Sequence, residues 1–272
     1  AIHNGADDNA SGVAMMIELA RWVGEKELKG NNYLFIAFSG EELGLWGSTF
    51  FMNEPTIAKN TINFMINLDM VGRLNNERTL AVNGSGTSPI WSQSVENANK
   101  DSLKIVFSES GVGPSDHTQF YLKDIPVLHF FTGQHDDYHR PGDDVEKVNF
   151  RGMVLVSDLI KRLLLELDDD GRIEFTKTKD EDSRKAPKYS VTLGVMPDYL
   201  FDGKGMRISG VKSDRPAEKA GIIAGDIVVK MGEIDVVDMM SYMKGLGAFK
   251  KGETAKVTIL RDSKRMEMEV TF

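Results

Sequence analysis

Two rhythms of apolar residues run through the first 167 positions. A helical rhythm starts after Ser11, where Val13, Met16, Ile17, Ala20 and Val23 fall on one stripe, and Asn9 or Ser11 stands where an N-cap is needed. The other rhythm is a set of short continuous apolar runs, the pattern of strands covered on both faces. The run at 33–38 (YLFIAF) is the strongest, and others follow at 62–70, 79–83, 103–107 and 126–131. Between them the spacing predicts a short helix at 57–60, a helix at 88–99, a loop at 111–114, a short helix over 115–121 and a long amphipathic helix over 149–167. Strands alternating with helices predict an α/β domain, a mainly parallel sheet sandwiched by helices.

The pattern changes after Leu167. Residues 168–187 are dense in charge of both signs and poor in large apolar side chains, which predicts a charged linker. Strand signals then recur at 190–196, 206–211, 226–231, 255–261 and 266–272, with helical stretches at 217–220 and 238–246. The expected organisation is a first domain over 1–167, a linker over 168–187 and a small β-rich domain over 188–272.

Composition narrows the chemistry. A net charge of -8 and a sequence pI of about 5.3 argue against a nucleic-acid footprint. No apolar run approaches the roughly 20 residues of a membrane span. The chain has no cysteine, so disulfides and thiolate metal sites are excluded and Asp, Glu and His remain as candidate ligands. The five histidines are His3, His117, His129, His135 and His139.

Ligands of open α/β sheets bind beyond the carboxyl ends of the strands. Glu41 and Glu42 stand there, directly after the 33–38 run and Ser39-Gly40. Neighbouring side chains on extended backbone point different ways, so one glutamate can hold a metal while the other faces a reacting water. The bland alternative is a solvated helix start. Asp69 closes the 62–70 run, where a lone carboxylate needs a partner, either a cation or a salt bridge. Asp7 and Asp8 precede the first helix, where they either favour its positive end or serve the chemistry. His129, inside an apolar run, reads as a core histidine. Carboxylates and imidazoles of this kind suit zinc, and hydrolytic zinc sites often hold two ions bridged by a carboxylate and a water.

Four segments then carry a resemblance in order: Asn4-Gly5-Ala6-Asp7-Asp8-Asn9-Ala10-Ser11-Gly12, Ser39-Gly40-Glu41-Glu42-Leu43-Gly44, Asn67-Leu68-Asp69-Met70-Val71-Gly72 and Tyr138-His139-Arg140-Pro141-Gly142-Asp143. They resemble the motifs of the two-zinc exopeptidase family that holds bacterial leucyl aminopeptidases, glutamate carboxypeptidase II and the glutaminyl cyclases. The resemblance covers 1–167 and implies the zinc exopeptidase fold, two zinc ions and peptide substrates, with removal of N-terminal residues as the leading activity. Position by position, it implies Asp8 as the carboxylate bridging both zinc ions, Glu42 and His139 as ligands of one zinc, and Asp69 as a ligand of the other. Glu41 matches the general base acting on the bridging water, and Tyr138 the oxyanion donor. Asp7 and Asp143 are nearby carboxylates that read as supporting or structural, His117 lines the site without binding metal, and His135 is the rival of His139. The family also carries a histidine ligand in a His-x-Asp motif on an upstream strand, and His3, in the loop of Asp8, does not match it. The expectation is therefore a domain lacking its first strands, with an unpaired sheet edge, weak zinc binding at Asp69 and low activity. The resemblance also implies an extracytoplasmic bacterial location.

The segment Ser213-Asp214-Arg215-Pro216-Ala217-Glu218-Lys219-Ala220-Gly221, followed by Gly225-Asp226 and an apolar run, resembles the PDZ domains associated with bacterial proteases. Pro216 suits a helix start, Gly221 its end, and Gly232 a tight turn. That resemblance implies a C-terminal peptide ligand added as a strand, with the loop 192–196 holding its carboxylate. Two alternatives stay open: a carboxypeptidase-like or cyclase-like enzyme, or a noncatalytic peptide-binding protein acting through its PDZ domain. A requirement for a free α-amine separates the first from an aminopeptidase, and an intact Glu41 argues against the second.

Overall fold

The computed structural model describes residues 1–26, 28–178, 191–198, 201 and 203–272, and the chain divides into two units, Ala1–Glu181 and Asp182–Phe272. In the first unit the apolar runs become β1 (Met65–Leu68), β2 (Thr79–Asn83), β3 (Lys104–Ser108) and β4 (Val127–Phe131). The helices are α1 (Gly12–Lys26), α2 (Trp46–Asn53), α3 (Trp91–Ala98), α4 (His117–Tyr121) and α5 (Phe150–Leu167). The strands make one mixed sheet in the order β1-β4-β2-β3, with β1 parallel to β4, β2 parallel to β3, and β2 antiparallel to β4.

Alternation along the strands decides which side chains meet which layer. Leu80, Val82, Leu128 and Phe130 join Met15 and Leu19 of α1, Trp91 and Val95 of α3, and Val156, Leu159, Ile160 and Leu163 of α5 in one buried cluster. His129 and Phe131 take the opposite set of positions on β4, and there the ring of His117 from α4 stacks on His129 at 4.6 Å. Asn149 caps α5, its side chain accepting the Gly152 N–H at 2.9 Å.

The run at 33–38 departs from expectation. It forms no strand and, among the described residues, makes no backbone hydrogen bond. Leu34 and Phe35 are exposed. A strand needs a neighbour to take its N–H and C=O groups, and β1 is laddered only to β4. Instead, a cavity of about 930 Å³ is lined by residues 33–38, by 61–69 and by Val13, Met16 and Leu19 of α1. The same cavity explains the second departure: Val13 and Met16 face it, Ile17 is exposed, and the buried side of α1 is Met15 and Leu19. In place of a helix at 57–60 there is a single 3₁₀ turn, Lys59–Thr61, which overlaps the second half of that span.

The charged run after Leu167 departs too. Asp168 accepts the N–H groups of Lys29, Gly30 and Asn31 and the hydroxyl of Tyr33. Ile173 is buried, and Thr178 N donates to Tyr121 Oη at 3.1 Å. Charge density hid this docking, because it rests on backbone groups and on the scattered apolar side chains of Ile173 and Phe175 rather than on a periodic stripe. The remainder of the expected linker, from 179, and the start of the 190–196 strand lie outside the described residues.

The second unit contains β5 (Val195–Pro197), β6 (Met206–Val211), β7 (Ile227–Met231), β8 (Ile234–Asp235), β9 (Thr254–Arg261) and β10 (Lys264–Thr271), with α6 (Pro216–Lys219) and α7 (Met239–Gly247). The sheet is antiparallel in the order β10-β9-β7-β6-β5, and β8 pairs with β7. Asp226, almost fully buried, takes two 2.7 Å bonds from the Arg261 guanidinium. Pro216 begins α6, and the turn after β7 is made at Gly232, whose φ is +55°.

Candidate metal centre

Four loops deliver the candidate side chains. The first is the turn Ala6–Ser11, in which Asp8 and Asn9 leave helical backbone angles before α1 begins. The second links residue 38 to α2: Gly44 N and Leu45 N both donate to Glu41 O at 2.9 Å, and Gly47 N donates to Ser39 O at 2.9 Å. Only glycine fits at 47, because a Cβ there would stand 2.7 Å from Ser39 O. That close return turns Glu41 and Glu42 out of the chain's path. The third loop follows β1 and begins with Asp69. The fourth carries Tyr138 and His139, and His139 is held at φ +56°, a backbone conformation rare for a side-chain-bearing residue.

Three of the sequence-expected ligands meet. One donor atom each from Asp8, Glu42 and His139 lies within 4.8 Å of the others. His139 Nε2 is 3.1 Å from Asp8 Oδ2 and 2.8 Å from Glu42 Oε1. Those two carboxylates push the His139 imidazole up to about 9. The ring of Tyr138 stacks on it with centroids 3.7 Å apart.

Asp69 lines the same cavity end as Asp8, Glu41 and Glu42 but stands outside the three-residue cluster. Ser115 Oγ donates to Asp69 Oδ2 at 2.7 Å, and Asn67 Nδ2 donates to Ser115 Oγ at 2.7 Å. Burial, helped by the charges of Asp8, Asp116 and Glu42, pushes the Asp69 carboxyl up to about 7 against the lowering effect of Ser115. Glu41 is pushed up to about 8, first by burial and then by Asp69, Glu42, Asp116 and Asp8. A cluster of carboxylates that raise one another in this way is a strong attractor for a cation.

The remaining candidates separate. His135 Nε2 faces Asp7 Oδ2 at 3.2 Å and is not in the cluster. His117 and His129 are fully buried, with burial lowering both and holding His129 at about 3. Asp143 accepts the backbone N–H groups of Asp7 and Asp8. His3 is exposed. Asp116, which the sequence pattern does not single out, is a further carboxylate on this cavity, held by the hydroxyl of Ser48. Its signal was the polar pair Ser115-Asp116 ahead of a helix, which reads equally well as an ordinary helix start.

Residues 1–164 match peptidase family M28, and residues 171–272 match the PDZ domain. Aminopeptidase YwaD of Bacillus subtilis (strain 168) is 32% identical over 178 residues, covering 60% of this chain and 37% of that protein. Serine protease Do-like HtrA of the same organism is 34% identical over 134 residues, covering 47% and 28%. Among solved structures, BSAP, a zinc aminopeptidase from Bacillus subtilis, matches with a TM-score of 0.53 at 28% identity, covering 63% of this chain and 43% of that one. The chain spans less than half the length of each of these proteins.

Proposed function

The chain belongs to peptidase family M28, and from that premise we propose that it is a zinc-dependent aminopeptidase that removes N-terminal residues from peptides. The observation that carries the reading is the meeting of Asp8, Glu42 and His139 within 4.8 Å, at a cavity that Asp8, Glu41 and Glu42 line. Two carboxylate oxygens and one imidazole nitrogen are a donor set that fits zinc, with room left for water and substrate. Asp8, Glu42 and His139 would hold one ion, and Asp69 a second beside it. Zinc bound there supplies Lewis acidity and a water made nucleophilic near neutral pH.

The protein's own groups do the rest. Glu41, raised toward neutrality by burial and like charge, takes the proton of the attacking water as the carbonyl becomes tetrahedral. It then delivers that proton to the departing amine as the C–N bond breaks. The Tyr138 hydroxyl, beside His139, donates to the oxyanion. Surplus negative charge at the cavity end favours a substrate presenting a free ammonium group. The PDZ domain would take an extended C-terminal peptide along β5, the edge strand among the described residues, with the loop 192–196 at its carboxylate. No helix among the described residues is long and apolar enough to cross a membrane; independently of that, the likeness to bacterial exopeptidases leads us to place the enzyme outside the cytoplasm.

The test is hydrolysis of a leucyl anilide and of its N-acetylated form, with and without zinc. Slow, zinc-dependent release from the free amine alone is the expected result. Equal cleavage of the acetylated substrate would exclude an aminopeptidase.

A further inference from the structure

The Asp8 loop is fastened by side chains that the proposed chemistry leaves unused. Asn9, Ser11 and Asp7 take three consecutive backbone N–H groups of the turn after β1: Met70 N to Asn9 Oδ1 at 3.2 Å, Val71 N to Ser11 Oγ at 3.1 Å, and Gly72 N to Asp7 Oδ1 at 2.6 Å. Contact is so close that a Cβ at Gly72 would stand 2.7 Å from Asp7 Oδ1. That turn begins at Asp69, so the loop of one expected ligand is knitted to the loop of another.

Asp143 fastens the other side. Its Oδ2 accepts both Asp7 N at 2.9 Å and Asp8 N at 3.0 Å, while its backbone oxygen accepts Ala6 N at 3.0 Å. Its Oδ1 lies 3.2 Å from Arg73 Nη2 and 4.0 Å from His135 Nε2. The carboxylate is 2% exposed as a residue; burial raises its carboxyl, but the Asp8, Asp7 and Arg73 contacts together outweigh that and hold it below the usual range. Asp143 follows His139 on the same loop. One buried carboxylate therefore ties the backbone of Asp8 to the segment that carries His139.

We propose that Asp143 is a positioning residue for the metal centre: by holding the amides of Asp7 and Asp8, it fixes the Asp8 carboxylate opposite Glu42 and His139. Arg73 supplies its counter-charge, and Asp7, Asn9 and Ser11 fix the same loop against the Asp69 turn. The physical logic is preorganisation. A ligand already held in place adds no ordering penalty when the cation arrives, and supporting groups of this kind typically change metal affinity by about 10–100-fold. The inference rests on the zinc reading above.

The test titrates zinc into the whole 272-residue chain and into Asp143→Asn, with folding followed by circular dichroism. D143N keeps the side chain's shape but turns an NH₂ toward either the two loop amides or Arg73. Its zinc Kd is expected to rise by about 10–100-fold, with the cobalt-substituted absorption spectrum changed in shape. Val156→Ala, a core variant away from the loop, is expected to keep its zinc Kd within about twofold even where its unfolding midpoint falls as far. Wild-type affinity in folded D143N, or an equal loss in V156A, overturns the inference. Absence of zinc binding by the wild-type chain overturns the zinc reading itself. If D143N does not fold, amide exchange in the zinc-free wild type decides: protected Asp7 and Asp8 amides are expected, and rapid exchange at both sinks the clamp.

Discussion

His139 Nε2 lies 2.8 Å from Glu42 Oε1 across 97 residues of chain. The same nitrogen is 3.1 Å from Asp8, so one imidazole is shared by carboxylates from two other loops. In the absence of a cation it is a proton that this arrangement holds, which is why His139 is pushed up to about 9. A metal ion in that place must displace the proton.

Zinc uptake should therefore release a proton, and apparent affinity should climb with pH. Below about 9 the folded chain carries the His139 proton, so affinity is expected to rise by about tenfold per pH unit from 6 to 8 and to level off above 9. Calorimetric titrations in two buffers of different ionisation enthalpy would count the protons. A pH-independent affinity would rule out His139 as a ligand.

Glu41→Gln should leave zinc binding intact while lowering kcat by about 10²–10⁴-fold, the usual contribution of a positioned acid–base group. Tyr138→Phe should lower kcat by about 10²–10³-fold with KM little changed, as expected for an oxyanion donor. Steady-state kinetics beside a zinc titration separates the two roles from metal binding. Unchanged turnover in E41Q would remove Glu41 from the mechanism.

Acid should destabilise the first unit through its stacked imidazoles. Burial depresses His129 to about 3 and lowers His117 as well, so the unfolded chain binds more protons. Stability from His129 is then complete above about pH 6.5 and drains away as pH falls toward 3, reaching a loss of about 2 kcal/mol at pH 5. Urea unfolding at pH 7.5 and pH 5 gives the loss, and imidazole NMR gives its source. Titration of His129 near 6.5 in the folded protein would contradict the account.

Asp226→Asn should destabilise the second unit, since it removes a buried carboxylate's charge that answers the partly exposed Arg261 guanidinium. Hydrolysis by the first unit should be unaffected. Differential scanning calorimetry is expected to show one transition moving and the other staying. A common shift of both would mean that the two units unfold together.

Much of this was written in local pattern. The runs at 79–83 and 126–131 became β2 and β4 almost residue for residue, because continuous apolar residues between turn signals have few other ways to be buried. The long helix expected over 149–167 formed as Phe150–Leu167, with Asn149 as its cap. The run at 33–38 had the strongest strand pattern and made no strand, because pairing is a property of two segments and its flank opens on a cavity. The stripe on α1 failed for a related reason: that helix is apolar on more than one side, and only its neighbours select the buried side.

By itself the sequence determined the inventory: oxygen and nitrogen donors without sulfur, the four short motifs that hold them, and two units of different strand pattern. Tertiary structure alone decided that Asp8, Glu42 and His139 share one point, that His135 turns instead to Asp7, and that Asp69 and Asp116 face the same cavity. Spacing along a chain fixes direction only within an element. Distances between loops are set by how the sheet and helices pack, and there a single buried carboxylate, Asp143, reaches amides more than a hundred residues away.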